Sequence, residues 1–154
     1  MTKNNILITG SSGFIGFHVC KYFLEKNIKI IGVDNHNKYY DIKLKKKRCD
    51  KLLKYKNFNF IKSDITKFYQ INKILRKYKP KVIIHLAAQP GVRYSFINPQ
   101  AYIDINITGF LNILEAMNKN RLKKIIYASS SSVYGNCKKY PFTENLQLEP
   151  LNFY

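Results

Sequence analysis

The sequence contains no tryptophan, 3 cysteines, 5 prolines and only 9 acidic residues among its 154 positions. Cys20, Cys49 and Cys137 lie far apart without a C-x-x-C pair, and the three histidines have no ligand spacing. We therefore expect no disulfide framework and no metal site, and a reducing, cytoplasmic compartment. The longest apolar stretch, 82–88, is interrupted by His85, interpreted as a hydrogen-bonded core residue, and falls short of the ~18 residues of a membrane span. The polar start M-T-K-N-N is unlike a signal peptide, so no membrane partner is expected.

Basic residues greatly outnumber the acidic ones. Lys and Arg total 27 against 9 Asp and Glu, a formal net charge of +18. Such a charge invites a nucleic-acid partner. However, only 4 of the 27 are arginine, the residue that base readout and phosphate recognition favour. A lysine-rich solvated surface gives the same charge, so we expect no specific nucleic-acid binding. The run K-L-K-K-K-R at 43–48 is interpreted likewise, as a solvated helix face.

Strand and helix signals alternate along a chain whose length allows one domain. Strands are predicted at 5–9, 29–34, 57–62, 81–88 and 124–129. The fourth is a near-continuous apolar run, typical of a strand buried on both faces. Helices are predicted at 14–26, 42–55, 71–78 and 99–119, the last with Ile103, Ile107, Phe110, Leu111, Leu114 and Met117 on one side. Strands joined by crossover helices indicate an α/β fold with a doubly wound parallel sheet.

Glycines cluster at 10–16 (G-S-S-G-F-I-G), between the first strand and the first helix. This spacing allows a sharp turn and lets the backbone approach a pyrophosphate, which the helix N-terminus then binds. Asp34 ends the second strand, where a carboxylate accepts the hydroxyls of an adenosine ribose and repels a 2′-phosphate. Asp64, after the third strand, is placed to receive an adenine amino group. The alternative for each is an ordinary turn aspartate. Together, the pattern predicts NAD as cofactor.

Four segments resemble the extended short-chain dehydrogenases/reductases. They are G-S-S-G-F-I-G (10–16), V-D-N-H-N-K-Y-Y-D (33–41), H-L-A-A-Q-P-G-V-R-Y-S (85–95) and Y-A-S-S-S-S-V-Y-G (127–135). The second and third are narrower and are similar to the NAD-dependent epimerase/dehydratase family, most closely its UDP-glucuronate 4-epimerase group. The resemblance covers the whole chain but only the N-terminal half of such enzymes. We therefore expect an incomplete Rossmann-type NAD-binding domain over 1–154, without the last strands, the substrate domain or turnover of its own.

The resemblance also implies roles for individual residues. Ser130 and Tyr154 take the catalytic positions, in an epimerisation by transient oxidation at sugar carbon 4. Arg93, Ser129 and Ser131 are substrate-binding candidates, although Arg93 has a salt-bridged loop arginine as its alternative. The implied cofactor-binding residues are Gly10, Ser12, Gly13, Phe14, Ile15, Gly16, Asp34, Asn35, Asp64, Ile65, Leu86, Ala87, Ala88 and Asn106. A UDP-sugar substrate and a homodimeric whole enzyme are implied as well.

Three other functions stay open at this point. A nucleotide-sugar 4,6-dehydratase usually carries T-D-E where this chain has Ser130-Ser131-Ser132, so the acid pair for water elimination is missing. Other nucleotide-sugar 4-epimerases differ mainly in the part beyond this sequence. A non-catalytic dinucleotide-binding module fits the chain too. A downstream Y-x-x-x-K followed by a substrate domain would favour the enzymes over the module.

Overall fold

The computed structural model describes residues 5–152 and 154. Within them, five strands form one parallel sheet in the order β3-β2-β1-β4-β5. The strands are β1 Asn5–Thr9, β2 Lys29–Asp34, β3 Phe58–Lys62, β4 Val82–His85 and β5 Ile125–Tyr127. This arrangement confirms the predicted doubly wound α/β fold. The strand order reverses between β1 and β4, and in such sheets ligands bind beyond the carboxyl ends of the strands at that reversal.

Helices cover both faces of the sheet. They are α1 Phe14–Glu25, α2 Ile42–Leu53, α3 Phe68–Tyr78, α4 Val92–Ile97, α5 Pro99–Tyr102 and α6 Gly109–Lys119, with a π-helical segment at Ile103–Thr108 and a 3₁₀ turn at Ser131–Tyr134. Side chains alternate across β1, so Leu7 packs in the core that contains Ile71 and Ile113, while Ile8 packs in the core that contains Leu24 and Leu52. No helix in the described residues is long and apolar enough to cross a membrane.

Several element boundaries differ from the predictions. β4 ends at His85 rather than at 88, because the chain turns away there and the N–H groups of Leu86 and Ala87 bond to the Thr9 side chain. β5 is also shorter than predicted, α3 starts earlier, and α4 lies in a stretch for which no element was predicted. Helix α4 is only one and a half turns long, too short for a periodic apolar pattern to reveal.

The predicted helix at 99–119 is helical throughout but not regular. The π-helical segment at Ile103–Thr108 widens the turn and rotates the part that follows. The predicted apolar side is therefore wrong in part, because Ile107, Leu111 and Leu114 are exposed. The buried residues of α6 are instead Gly109, Ile113, Ala116 and Met117.

Candidate functional site

A cavity of about 550 Å³ lies at the carboxyl ends of the strands, where the strand order reverses. Loops that follow β1, β2, β3, β4 and β5 all contribute to its walls. The sequence-predicted residues that line it are Gly10, Gly13, Phe14, Ile15, Gly16, Asp34, Asn35, Asp64, Ile65, Leu86, Ala87, Ala88, Ser129 and Tyr154. Ser12, Asn106, Arg93, Ser130 and Ser131 lie outside its lining. The fold therefore gathers most of the predicted residues, from distant parts of the chain, around one space.

The glycine-rich loop is packed so tightly that side chains would not fit. Gly10 has φ +70°, and a Cβ there would lie 2.8 Å from the backbone N of Ala87. A Cβ on Gly16 would lie 2.0 Å from the carbonyl oxygen of Gly10. Helix α1 begins directly after this loop, and no side chain of the described residues caps its first turn, which contains no acidic residue. Phe14, Ile15 and Gly16 of this first turn line the cavity, and the free N–H groups of a helix N-terminus are suited to an anion.

Asp34 is held by backbone donors from two loops. The N–H of Ser12 donates to Oδ2 (3.1 Å) and the N–H of His36 donates to Oδ1 (2.8 Å). The imidazole Nε2 of His36 lies 2.9 Å from the Ser12 hydroxyl, and the ring stacks on Phe60. Burial lowers the pKa of His36, an effect that the Asp34 carboxylate opposes. Ser12 thus acts from behind the cavity wall and fixes the carboxylate that lines it.

Asp64 and Asn35 form a second polar pair on the wall. The Asn35 amide donates to Asp64 Oδ2 (3.1 Å), and the N–H of Thr66 donates to Oδ1 (2.9 Å). Burial alone would raise the pKa of Asp64, but the hydrogen bonds from Thr66 and Asn35 outweigh it and lower that pKa. The cavity therefore presents an ionised carboxylate from the end of β3, and the Asp34 side chain at the end of β2 lines the same cavity.

Thr9 and His85 hold the loop after β4 in place. Thr9 Oγ1 accepts from the N–H groups of Leu86 and Ala87, both at 3.1 Å, and lies 2.8 Å from His85 Nδ1. With both lone pairs occupied, the hydroxyl proton points to Nδ1, so the imidazole is neutral and protonated on Nε2. Burial lowers the pKa of His85 to about 4, and the ring stacks on Phe110. The interpretation of His85 as a hydrogen-bonded core residue is confirmed.

Asn106 lies in the π-helical segment and acts on the same loop. Its amide oxygen accepts from the N–H of Gln89 (2.8 Å), and its amide nitrogen donates to the Gln89 carbonyl (3.1 Å). The buried Tyr102 hydroxyl donates to the carbonyl of Pro90 (3.0 Å). Although Asn106 was predicted as a cofactor-binding residue, the structure places it behind the cavity wall, where it fixes the backbone of residues 86–90.

The predicted catalytic residues are not brought into contact. The Ser130 hydroxyl lies 2.8 Å from that of Ser132 and accepts from the Ser132 N–H (3.1 Å), which caps the 3₁₀ turn. Tyr154 lines the cavity and packs edge-on against Tyr102. Of the substrate-binding candidates, Ser129 lines the cavity, whereas Arg93 is exposed on α4.

One interpretation from the sequence is wrong. The run 43–48 is not simply a solvated helix face, because Leu44, Lys45 and Arg48 line the cavity and Lys45 is only 5% exposed. Lys45 shares a helix stripe with the buried Cys49 and Leu52, at spacings of four and seven residues. That spacing was the signal available in the sequence, and the charge of the lysine obscured it. Asn37 and Tyr40 also line the cavity; both lie in the 33–41 segment, in which the sequence motifs predict a role only for Asp34 and Asn35.

In the part of the chain that the structure describes, no group of three or more His, Cys, Asp or Glu side chains could hold a metal ion.

Comparison with known proteins agrees with this geometry. The profile of the family described as GDP-mannose 4,6 dehydratase matches residues 7–154. An uncharacterized protein of Methanocaldococcus jannaschii is 46% identical over 100% of this chain and 48% of its own length. A UDP-glucuronate 4-epimerase of Thermodesulfobacterium geofontis is 44% identical over 96% of this chain and 46% of its own.

Solved structures agree as well. The UDP-glucuronic acid 4-epimerase of Bacillus cereus, in complex with UDP-glucuronic acid and NAD, has a TM-score of 0.87 and 36% identity, covering 97% of this chain and 47% of that chain. The present chain thus spans just under half the length of each of these three proteins.

Proposed function

Since this chain belongs to the GDP-mannose 4,6 dehydratase family, we propose that it is the NAD-binding portion of a nucleotide-sugar epimerase. The whole protein is proposed to invert carbon 4 of UDP-glucuronate. The observation that carries the proposal is the cavity at the strand-order reversal, lined by both the glycine-rich loop and Asp34. Relatives that are named UDP-glucuronate 4-epimerase support the choice of substrate.

The residues around the cavity fit a dinucleotide. The first turn of α1 offers free N–H groups to a pyrophosphate, and the glycines at 10 and 16 leave no side chain in the way. Asp34 presents a buried carboxylate to the adenosine ribose and would repel a 2′-phosphate, which favours NAD over NADP. Asp64 and Asn35 would hold the adenine end, and Leu86, Ala87 and Ala88 the nicotinamide side.

The chemistry around Ser130 favours an epimerase over the dehydratase after which the family is named. Elimination of water needs an acid and a base close together. The positions at which 4,6-dehydratases usually carry T-D-E are occupied here by Ser130, Ser131 and Ser132, which supply hydroxyls and no carboxylate. Epimerisation at carbon 4 needs only one proton acceptor, which these serines can assist by hydrogen bonding.

In this proposal, NAD supplies the hydride acceptor and donor when it is bound. Tyr154, reacting as the tyrosinate, would take the proton from the sugar 4-hydroxyl, become the neutral phenol, and later return the proton. Ser130 turns its hydroxyl away from Ser132 and hydrogen-bonds the same sugar oxygen. Ser129 and Ser131 flank the sugar on that side, and Arg93 is the candidate for its carboxylate or phosphate.

Cofactor binding is the first test. Calorimetric titration of this chain should show binding of NAD and much weaker binding of NADP. Gly13→Val, which introduces a branched side chain at the N-cap of α1, should abolish binding, because a Cβ there already lies 3.0 Å from the carbonyl oxygen of Gly10. Equal affinity of the unmodified chain for NAD and NADP would contradict the assignment.

The reaction is tested in a chimera. This chain would replace the matching N-terminal part of the Thermodesulfobacterium geofontis UDP-glucuronate 4-epimerase, with which it shares 44% identity. The chimera should convert UDP-glucuronate to UDP-galacturonate, and the Tyr154→Phe chimera, which lacks the proton acceptor, should not. A folded, NAD-bound chimera with no more turnover than its Tyr154→Phe control would overturn the proposed activity.

A further inference from the structure

Helix α2 places two cationic side chains on the wall of the cavity, Lys45 and Arg48. Asp34 and Tyr40 line the same cavity. No motif in the sequence indicates either of them, and their hydrogen bonding in the structure is very different.

Lys45 is already fully engaged by the protein. Its ammonium donates to the backbone carbonyl of Asn37 (3.2 Å) and to the side-chain oxygen of the same residue. It also lies 4.4 Å from the centre of the Tyr40 ring. At 5% exposure, it fixes the loop between β2 and α2 and has little capacity left for a ligand.

Arg48 is not engaged in this way. Its guanidinium carbon lies 5.7 Å from the centre of the Phe14 ring, and the group also interacts with the Tyr40 hydroxyl. Within residues 5–152 and 154, Nη1 of Arg48 is one of three buried side-chain polar atoms that have no hydrogen-bond partner. A buried donor without a partner is costly, and more so when it is charged. An acceptor that enters the cavity would relieve this cost.

Resting on the proposed NAD binding, we propose that Arg48 is a ligand residue for the adenosine diphosphate half of the cofactor, and donates to a ribose or phosphate oxygen. Three features support this. Arg48 lies over Phe14, the first residue of α1, whose N-terminus is the anion-binding site. Its planar fork suits paired oxygens. Of Lys45 and Arg48, it is also the one whose side chain keeps an N–H donor without a hydrogen-bond partner.

The proposal accounts for the charge of the cavity. Asp34 and Asp64 both line it, so an incoming diphosphate meets two carboxylates. The ammonium of Lys45 is hydrogen-bonded to Asn37. The groups that remain to attract the ligand are therefore Arg48 and the N-terminus of α1. Loss of Arg48 should therefore weaken every ligand that contains adenosine diphosphate, and should leave a ligand of the nicotinamide half, such as nicotinamide mononucleotide, unaffected.

The test is calorimetric titration of this chain with NAD, ADP, adenosine and nicotinamide mononucleotide. Arg48→Gln should weaken NAD and ADP by about tenfold or more, the range of one charge-assisted hydrogen bond. Nicotinamide mononucleotide should be unaffected. Lys47→Gln removes the same charge from an exposed neighbour on α2 and should change each affinity by less than about twofold.

The adenosine titration distinguishes the two possible acceptors. If adenosine weakens along with ADP, Arg48 bonds the ribose, and if only ADP weakens, it bonds a phosphate. Circular dichroism verifies that each variant folds. If Arg48→Gln does not, Arg48→Lys decides, because it keeps the charge and loses the fork; it should weaken ADP by about threefold or more.

Unchanged ADP and NAD affinity in a folded Arg48 variant overturns the role of Arg48 and leaves the proposed function standing. A folded, unmodified chain that binds neither NAD nor ADP overturns the proposed function and, with it, this inference.

Discussion

Acidification should destabilise the fold through His85. This imidazole is buried against Phe110, and its Nδ1 accepts a hydrogen bond from the Thr9 hydroxyl. Protonation of His85 would turn Nδ1 into a donor that faces the Thr9 hydroxyl, whose lone pairs are already used by the N–H groups of residues 86 and 87. The fold thus favours the neutral ring over the charged one.

The size of the effect follows from the pKa of His85, which burial lowers from 6.5 to about 4. As the pH falls, the unfolded chain binds a proton at His85 at a higher pH than the folded chain does. The contribution of the neutral His85 to the free energy of unfolding is therefore present above about pH 6.5 and is lost as the pH falls towards about 4. The full loss approaches about 3 kcal/mol, of which about 2 kcal/mol is lost between about pH 7 and about pH 5. The lowered pKa of Asp64 acts in a lower range, since its stabilising effect is lost only below the ordinary 3.8.

The measurement is urea denaturation at a series of pH values. His85→Asn removes the titrating group and should flatten the curve between about pH 7 and about pH 5 by about 2 kcal/mol. His36→Asn is measured beside it, because burial lowers the pKa of His36 as well and its contribution to the slope has to be separated from that of His85. The reasoning about His85 is refuted if His85→Asn keeps the full slope of the unmodified chain.

The sequence was informative where the chemistry is local. The glycines at 10–16 follow the first strand, and Asp34 ends the second. Each can be recognised from the residues next to it, because the glycines are needed for a turn and the carboxylate is needed at a strand end. The sheet could be predicted for the same reason, since apolar strands and crossover helices follow one another directly. The structure then needs only to bring these strand ends together.

The rest depends on contacts between distant residues. Thr9 and His85 are separated by 76 positions, and neither has a neighbour in sequence that signals their hydrogen bond. The place of Asn106 behind the wall follows from the π-helical segment, whose wider turn leaves no mark in an apolar pattern of period 3.6. The run 43–48 has the composition of a solvated helix face, and only the packing of α2 against α1 turns one of its stripes inward.

Three further outcomes are expected. Thr9→Val should lower the free energy of unfolding by about 2–4 kcal/mol in urea denaturation, because it leaves the N–H of Ala87 without an acceptor and Nδ1 of the buried His85 without a donor, while Thr9→Ser, which keeps the hydroxyl, should cost about 1 kcal/mol. Asn106→Ala should weaken NAD binding about threefold or more in calorimetric titration, because the backbone N–H and carbonyl of Gln89 both lose their hydrogen bonds to the Asn106 side chain. Unchanged affinity would mean that these hydrogen bonds are not needed to hold the loop for NAD. Asp34→Ala should weaken NAD and bring NADP affinity closer to it, because the carboxylate that binds ribose hydroxyls and repels a 2′-phosphate is gone while Arg48 stays on the same wall. In the Asp34→Ala background, Arg48→Gln should reduce NADP affinity further; if it does not, any gain in NADP binding comes from the removed repulsion alone and not from the cation.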